Sequence, residues 1–273
     1  MKLIRECRMG KPKTTKTGAV VGTYPKPLCY FGFDRDGISI IPPKSYTPTP
    51  GSIPFDCTYE DITFEKVGTA ATMLSQPAKS KITVLDYTTE FPLEMTLDYT
   101  PQKAQEAAIC FTRDFNAFNT HIRAKKEFPF KTVVFDSATG YADMMKMHLS
   151  SFNPNSMVDA RQWAFMIGEK TRQLILASTA WPCHVVFIFH TSAPEKNEET
   201  SQVEELPSAY GKGFRDVIGG LFSQYFYATR SAGKPVIKNS DYMMVRGLGS
   251  RWPAGLPNEC PADFKSIYGK ELL

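Results

Sequence analysis

The residues that could do chemistry first are those of Gly10–Gly18, GKPKTTKTG, set between an apolar run and a helix-compatible run. Holding a phosphate chain takes inward-pointing backbone N–H groups, a lysine that reaches the outer phosphates and a hydroxyl for a magnesium ion. Gly10, Lys16 and Thr17 satisfy the spacing of such a loop, and Lys13, Thr14, Thr15 and Gly18 complete it as candidate nucleotide contacts. Thr15 stands where a second glycine is usual. A glycine there supplies backbone without a Cβ, so the threonine either strains the turn or crowds the ligand. By itself the motif fits a lysine-rich turn as well as a nucleotide site.

Three strand ends add to it. Asp136 closes the apolar run of FKTVVFDSAT, where a carboxylate can hold magnesium through water; the plain alternative is a helix cap. LCYFGFDRDG ends in Asp34, Asp36 and Gly37, and a carboxylate there can polarise a water aimed at a γ-phosphate. The run Asp-Arg-Asp-Gly over 34–37 also suits an ordinary turn. His190 closes HVVFIFH just before an irregular segment, a place from which it can sense a γ-phosphate. A histidine satisfied by nearby backbone would look the same.

The 273 residues are 42% hydrophobic and 22% charged, with a formal net charge of +4, which is ordinary for a globular chain and proves no polyanionic partner. Seven basic residues up to position 26 (Lys2, Arg5, Arg8, Lys11, Lys13, Lys16, Lys26) face one acid, Glu6, and read as a solvated face able to attract phosphate. The six cysteines are scattered without a CxxC pair, so buried free thiols are expected rather than disulfides or a zinc site. No signal-peptide core is visible, and the longest apolar run, LILASTAWPCHVVFIF, is interrupted by Pro182 and His184, so no membrane association and a cytoplasmic location are expected.

These residues need a scaffold that brings strand ends together. Short apolar runs at Lys2–Arg8, Pro27–Phe33, Lys81–Asp86, Lys131–Asp136 and Cys183–His190 alternate with helical patterns, which predicts an α/β fold with a mostly parallel sheet flanked by helices. One helix starts at Thr100-Pro101. Another starts at SMVD, with Trp163, Met166, Ile167 and Leu174 as its core stripe. Five prolines mark 38–60 as an inserted loop, and 191–213 lacks apolar periodicity. Alternation at Gln224–Arg230 and Asp241–Arg246 predicts an antiparallel C-terminal hairpin, so the chain reads as one domain with an insert at 38–60 and a hairpin and tail over 223–273.

With those patches in view, the sequence resembles the RecA-like P-loop ATPases carried by bacteriophages, in the single-strand annealing recombinase class often described as AAA-type. KTGAVVGTYPKPLCYFGFDRDG, TVVFDSAT, VVFIFH and the closing YFYATR…YMMVRGLGSRWPAGLP carry the resemblance. It implies ATP and Mg2+ as cofactors, with Lys16 and Thr17 on phosphate and magnesium, and Asp136 as the second magnesium residue. It further implies Asp36 as the catalytic carboxylate and His190 as the γ-phosphate sensor, with Arg246 or Arg251 reaching a neighbouring subunit's nucleotide. Single-stranded DNA and a homo-oligomeric ring or filament are the partners implied, in the host-cell cytoplasm. The sequence departs from the pattern at Thr15, at Asp36 where glutamate is commoner, and in the acidic 191–213 segment, a poor tracker of phosphates in which only Tyr210, Lys212 and Arg215 suit DNA. Those departures also suit a weakened P-loop protein with a structural or partner-binding role, and a helicase-loading or packaging ATPase would share the same core.

Overall fold

Strand β1 (Arg5–Gly10) leads through the candidate loop into helix α1 (Lys16–Thr23) and on to β2 (Leu28–Gly32). The structure, a computed structural model, describes residues 3–34, 37–47, 49, 52–88, 101–152, 160–196, 203–245, 247–251 and 256–269. Beyond β2 come β3 (Ile62–Glu65), α2 (Ala70–Leu74), β4 (Ile82–Asp86), α3 (Pro101–Arg123), β5 (Thr132–Asp136), α4 (Ala138–Phe152), α5 (Ala160–Ser178) and β6 (His184–His190). A small hairpin, β7 (Glu195–Lys196) and β8 (Val203–Glu204), precedes α6 (Lys212–Val217). The chain closes with β9 (Gln224–Ser231), β10 (Lys234–Lys238), β11 (Gly249–Ser250), β12 (Glu259–Pro261) and α7 (Phe264–Tyr268).

Ten strands form one sheet in the order β12-β10-β9-β1-β6-β5-β2-β4-β3, with β11 on β9. From β9 to β3 every neighbouring pair is parallel, while β10, β11 and β12 run antiparallel. This is the predicted architecture: a mostly parallel sheet between helices with a C-terminal antiparallel hairpin. The crossover from β1 passes two positions to β2, and β6 and β5 later fill the gap. The register sets Gly10 beside His190 and Gly32 beside Asp136, so the strand ends that carry the candidate residues meet at one edge.

Period-two alternation decides which face each side chain meets. Cys7, Met9, Phe31, Phe135, Phe187 and their neighbours pack with α3 and α4 into an aromatic-rich core. Val134, Val186, Ile188 and Tyr30 pack on the other face with Val20 and Val21 of α1 and Phe264 and Ile267 of α7. The even-numbered positions of β1, β2, β5 and β6 therefore share the α1 side of the sheet. Glu6, Arg8, Tyr30, Asp136 and His190 all fall on that parity.

Several expectations need correction. The basic N-terminal run is not a solvated face: Arg8 is fully buried against Glu6, Lys16 is buried, Arg5 donates to the carbonyls of Trp181 and Thr179, and Lys26 pairs with Asp56 at 2.9 Å. Of the seven, Lys11 and Lys13 are exposed and Lys2 lies outside the described residues. The hairpin exists with another second strand, because β9 pairs with Lys234–Lys238 and not with the described residues 241–245. Ala232 and Gly233, both at positive φ, make the tight turn, and Pro235 inside the run disguises the strand. On α5, Met166 is exposed, and the buried stripe is Ile167, Thr171, Leu174, Ile175 and Ser178; Trp163 has no described side chain and the SMVD cap lies outside the described residues. The proline-rich stretch is more than a loop. Ile41, Ile53 and Cys57 are buried, and Asp56 N donates to Gly22 O, so the stretch straps α1 to the sheet.

All six thiols are free, five of them buried and Cys110 partly so. No described helix is long and apolar enough to cross a membrane.

Candidate functional site

The loop begins where β1 ends. A Cβ at Gly10 would collide with the carbonyl oxygen of Ala228 on β9, so the close approach of that strand requires glycine. Further on, Lys13 and Thr15 both adopt left-handed backbone, each with φ near 63°. That explains the position at which a glycine is usual: the turn needs a left-handed residue before the lysine. A threonine there stores on the order of 1–2 kcal/mol of backbone strain. The chain makes this left-handed turn without the residue that makes it with the least strain.

Thr15 is also the N-cap of α1, and its side chain does not cap the helix. The N–H groups of the first turn are thus left for another acceptor, and the positive end of the helix dipole faces the loop. Lys16 curls back over the turn. Its Nζ donates to Gly10 O and Lys11 O, both at 2.8 Å, within an otherwise buried surround. Burial, the main cause, pulls its ammonium down to about 8, although Asp136 and Asp34 pull the other way.

Opposite the loop, Asp136 Oδ2 accepts from the Thr17 hydroxyl and from the Tyr30 hydroxyl, the latter at 3.0 Å. Burial holds this carboxyl above the usual carboxylate range; the two hydroxyl donors and Lys16 oppose the shift. The peptide from Asp136 to Ser137 is cis. His190 Nε2 lies 2.8 Å from Asp34 Oδ2, its backbone N–H is held by Thr139 Oγ1 at 3.2 Å, and its carbonyl accepts from Ser208 N at 2.7 Å. Between these groups lies a cleft of about 490 Å³, lined by loop residues 12–17 and by Asp34, Gly37, Ser39, Ile40, Asp136 and His190.

The structure thus brings Gly10, Lys13, Thr14, Thr15, Lys16, Thr17, Asp136 and His190 together, with Gly18 on α1 against Ile40. Asp36 and Arg246 lie outside the described residues. The strand-end acid that meets His190 is Asp34. Arg251 is exposed at the other end of the sheet, its backbone N–H on Ser223 O beside the start of β1, far from the loop of its own chain. Tyr30 escaped the sequence reading, because a tyrosine inside an apolar strand looks like core. Of the residues suited to DNA, Tyr210 donates to Asp143 at 2.7 Å and Arg215 is paired bidentately with Glu195 at 2.8 and 2.9 Å.

A magnesium nucleotide fits what is present. A hydroxyl and a carboxylate already touch, a buried ammonium stands beside them, and an uncapped helix start supplies N–H donors.

No family model and no curated protein matches the chain. Among solved structures, it is similar to a KaiC-like protein of the hyperthermophilic archaeon Pyrococcus horikoshii. The identity is 9% and the TM-score 0.35, over 94% of this chain and 84% of that one. At that score the likeness carries no argument, and the site rests on its own geometry.

Proposed function

We propose that the chain binds a nucleoside triphosphate with Mg2+ at the cleft after β1 and hydrolyses its γ-phosphoryl bond. The observation that carries this reading is the meeting of Lys16 and Thr17, at the uncapped start of α1, with Asp136 at the end of the distant strand β5. In this reading the Lys16 ammonium leaves the carbonyls of Gly10 and Lys11 for the outer phosphates, and the first-turn N–H groups hold the phosphate oxygens. Thr17 and Asp136 would hold the Mg2+, which would supply neutralisation of charge on the phosphates. Asp34, fixed by His190, polarises the attacking water, and the nucleoside diphosphate and phosphate leave. Most of the rate comes from positioning and charge.

The direct test is equilibrium binding of a fluorescent ATP analogue to wild type and Lys16→Ala. We expect a loss of roughly 10- to 100-fold, the range of one or two charge-assisted hydrogen bonds; equal affinities would reject the site. Single-stranded DNA as partner, a homo-oligomer and a phage recombination role are the finer proposals, drawn from the sequence resemblance. A DNA-stimulated hydrolysis rate would support the first of them. One observation favours the second reading, a binding protein that turns over slowly or not at all: Lys16 is held by its own loop, and Thr15 strains that loop. Tight nucleotide binding without turnover, with or without DNA, would select it.

A further inference from the structure

We propose that Tyr30 is a positioning residue for the cation site, its hydroxyl fixing Asp136 so that one carboxylate oxygen is committed to the protein and the other to the metal or its water. This rests on the nucleotide-binding reading above. Tyr30 is buried on β2, one strand away from Asp136, on the α1 face of the sheet. Its neighbours on that face are Leu28, Val84 and Val134, among which a phenylalanine ring would pack equally well. The hydroxyl is the only part of the side chain that the packing does not call for. It donates at 3.0 Å to Oδ2, the same oxygen that accepts from Thr17.

With two donors on Oδ2, that oxygen is saturated in the plane of the carboxylate. Among the described residues no donor reaches Oδ1, and Asp136 lines the cleft. A carboxylate free to rotate would share its oxygens between protein and ligand; one pinned on one side presents the other in a set direction. Gly37 belongs to the same device. A Cβ there would collide with the Tyr30 hydroxyl and come within 3.4 Å of Asp136 Oδ2, so the missing side chain is what leaves the hydroxyl its place. The two residues reach the same point from different segments, and only one of them touches Asp136.

The test separates metal-dependent from metal-independent affinity. ATP-analogue binding is measured by calorimetry in EDTA and across a Mg2+ titration, for wild type, Tyr30→Phe and Gly37→Ala, with thermal unfolding of each apo protein alongside. We expect unchanged affinity in EDTA and a rise of roughly 2- to 10-fold in the Mg2+ concentration needed for half of the metal-dependent enhancement, the effect of one lost hydrogen bond. Gly37→Ala, which displaces the hydroxyl without removing it, should shift the Mg2+ requirement in the same direction. An unchanged Mg2+ requirement in Tyr30→Phe overturns the proposal and leaves nucleotide binding standing. Equal losses with and without metal also overturn it, marking Tyr30 as a packing residue. A wild type whose binding ignores Mg2+ overturns this proposal and the functional reading together.

Discussion

Two polar clusters lie on the α1 face of the same sheet and are built from similar groups, yet they differ in what they leave unfinished. In the first, Arg8 donates through Nε to Glu6 at 2.7 Å and through its two terminal nitrogens to Ala262 O and the Tyr24 hydroxyl. The other oxygen of Glu6 accepts from Tyr24 and, at 2.6 Å, from Tyr268. Both charges are fully buried, and each nitrogen and oxygen of the pair has a partner inside the chain. That cluster is a closed knot tying β1, α1 and α7 together. In the second, Thr17, Tyr30 and Asp136 make a similar knot at the strand ends, but an oxygen of Asp136, the Lys16 ammonium and the first turn of α1 all border a cleft. Buried charge with every partner inside the chain holds a fold; buried charge that stops at a cleft is available for chemistry.

The contrast can be broken at its largest effect first. Glu6→Ala strands a buried guanidinium and should cost about 3–5 kcal/mol in urea unfolding. Asp136→Asn should change stability by about 1 kcal/mol or less, since burial already disfavours that charge, yet abolish Mg2+-dependent nucleotide binding. Similar losses of stability in both variants would mean that the second cluster is structural too.

The next effect is on pH. Lys16 has a folded value of about 8 against an ordinary 10.5, so between these the unfolded chain holds more protons than the folded one. Its contribution to the apo fold is therefore unfavourable below about pH 8 and is relieved as pH rises from there towards 10.5. Triphosphate affinity should run the other way, weakening as pH rises through about 8 because the loop then loses its ammonium. Binding titrations at pH 7 and 9 on wild type and Lys16→Arg check this, with the arginine variant expected to be flat. The smallest effect is that of Thr15→Gly. Relief of left-handed strain and the extra freedom of an unfolded glycine nearly offset each other, leaving a net change of about 1 kcal/mol or less in thermal unfolding. A gain in nucleotide affinity without a matching gain in stability would show that the threonine crowds the ligand rather than the fold.

Lys16 and Thr17 could be found in the sequence by their spacing from Gly10, and Asp136 and His190 because each closes an apolar run, where a polar residue stands out. Parallel strands covered on both faces announced the sheet in the same way. Tyr30 and Arg8 were hidden by the converse rule: a tyrosine within LCYFG reads as core, and an arginine within a basic run reads as surface. Only the pairing of β2 with β5 shows that Tyr30 meets Asp136, and only the burial of β1 shows that Arg8 meets Glu6, two residues away on the same face, rather than solvent. Pro235 concealed β10 because proline argues against a strand interior, and its position at the start of that strand, before the residues that also pair with β12, is a tertiary fact. The strap over α1 was equally out of reach, since Ile41, Ile53 and Cys57 are spread among prolines with no helical or strand period running through the stretch to betray them.

The most direct test of the central claim is a structure with a non-hydrolysable ATP analogue and Mg2+. The account predicts that Lys16 Nζ has exchanged Gly10 O and Lys11 O for γ-phosphate oxygens, with the Mg2+ between Thr17 and the Asp136 side. Nucleotide bound elsewhere, with Lys16 still folded onto its own loop, would contradict it.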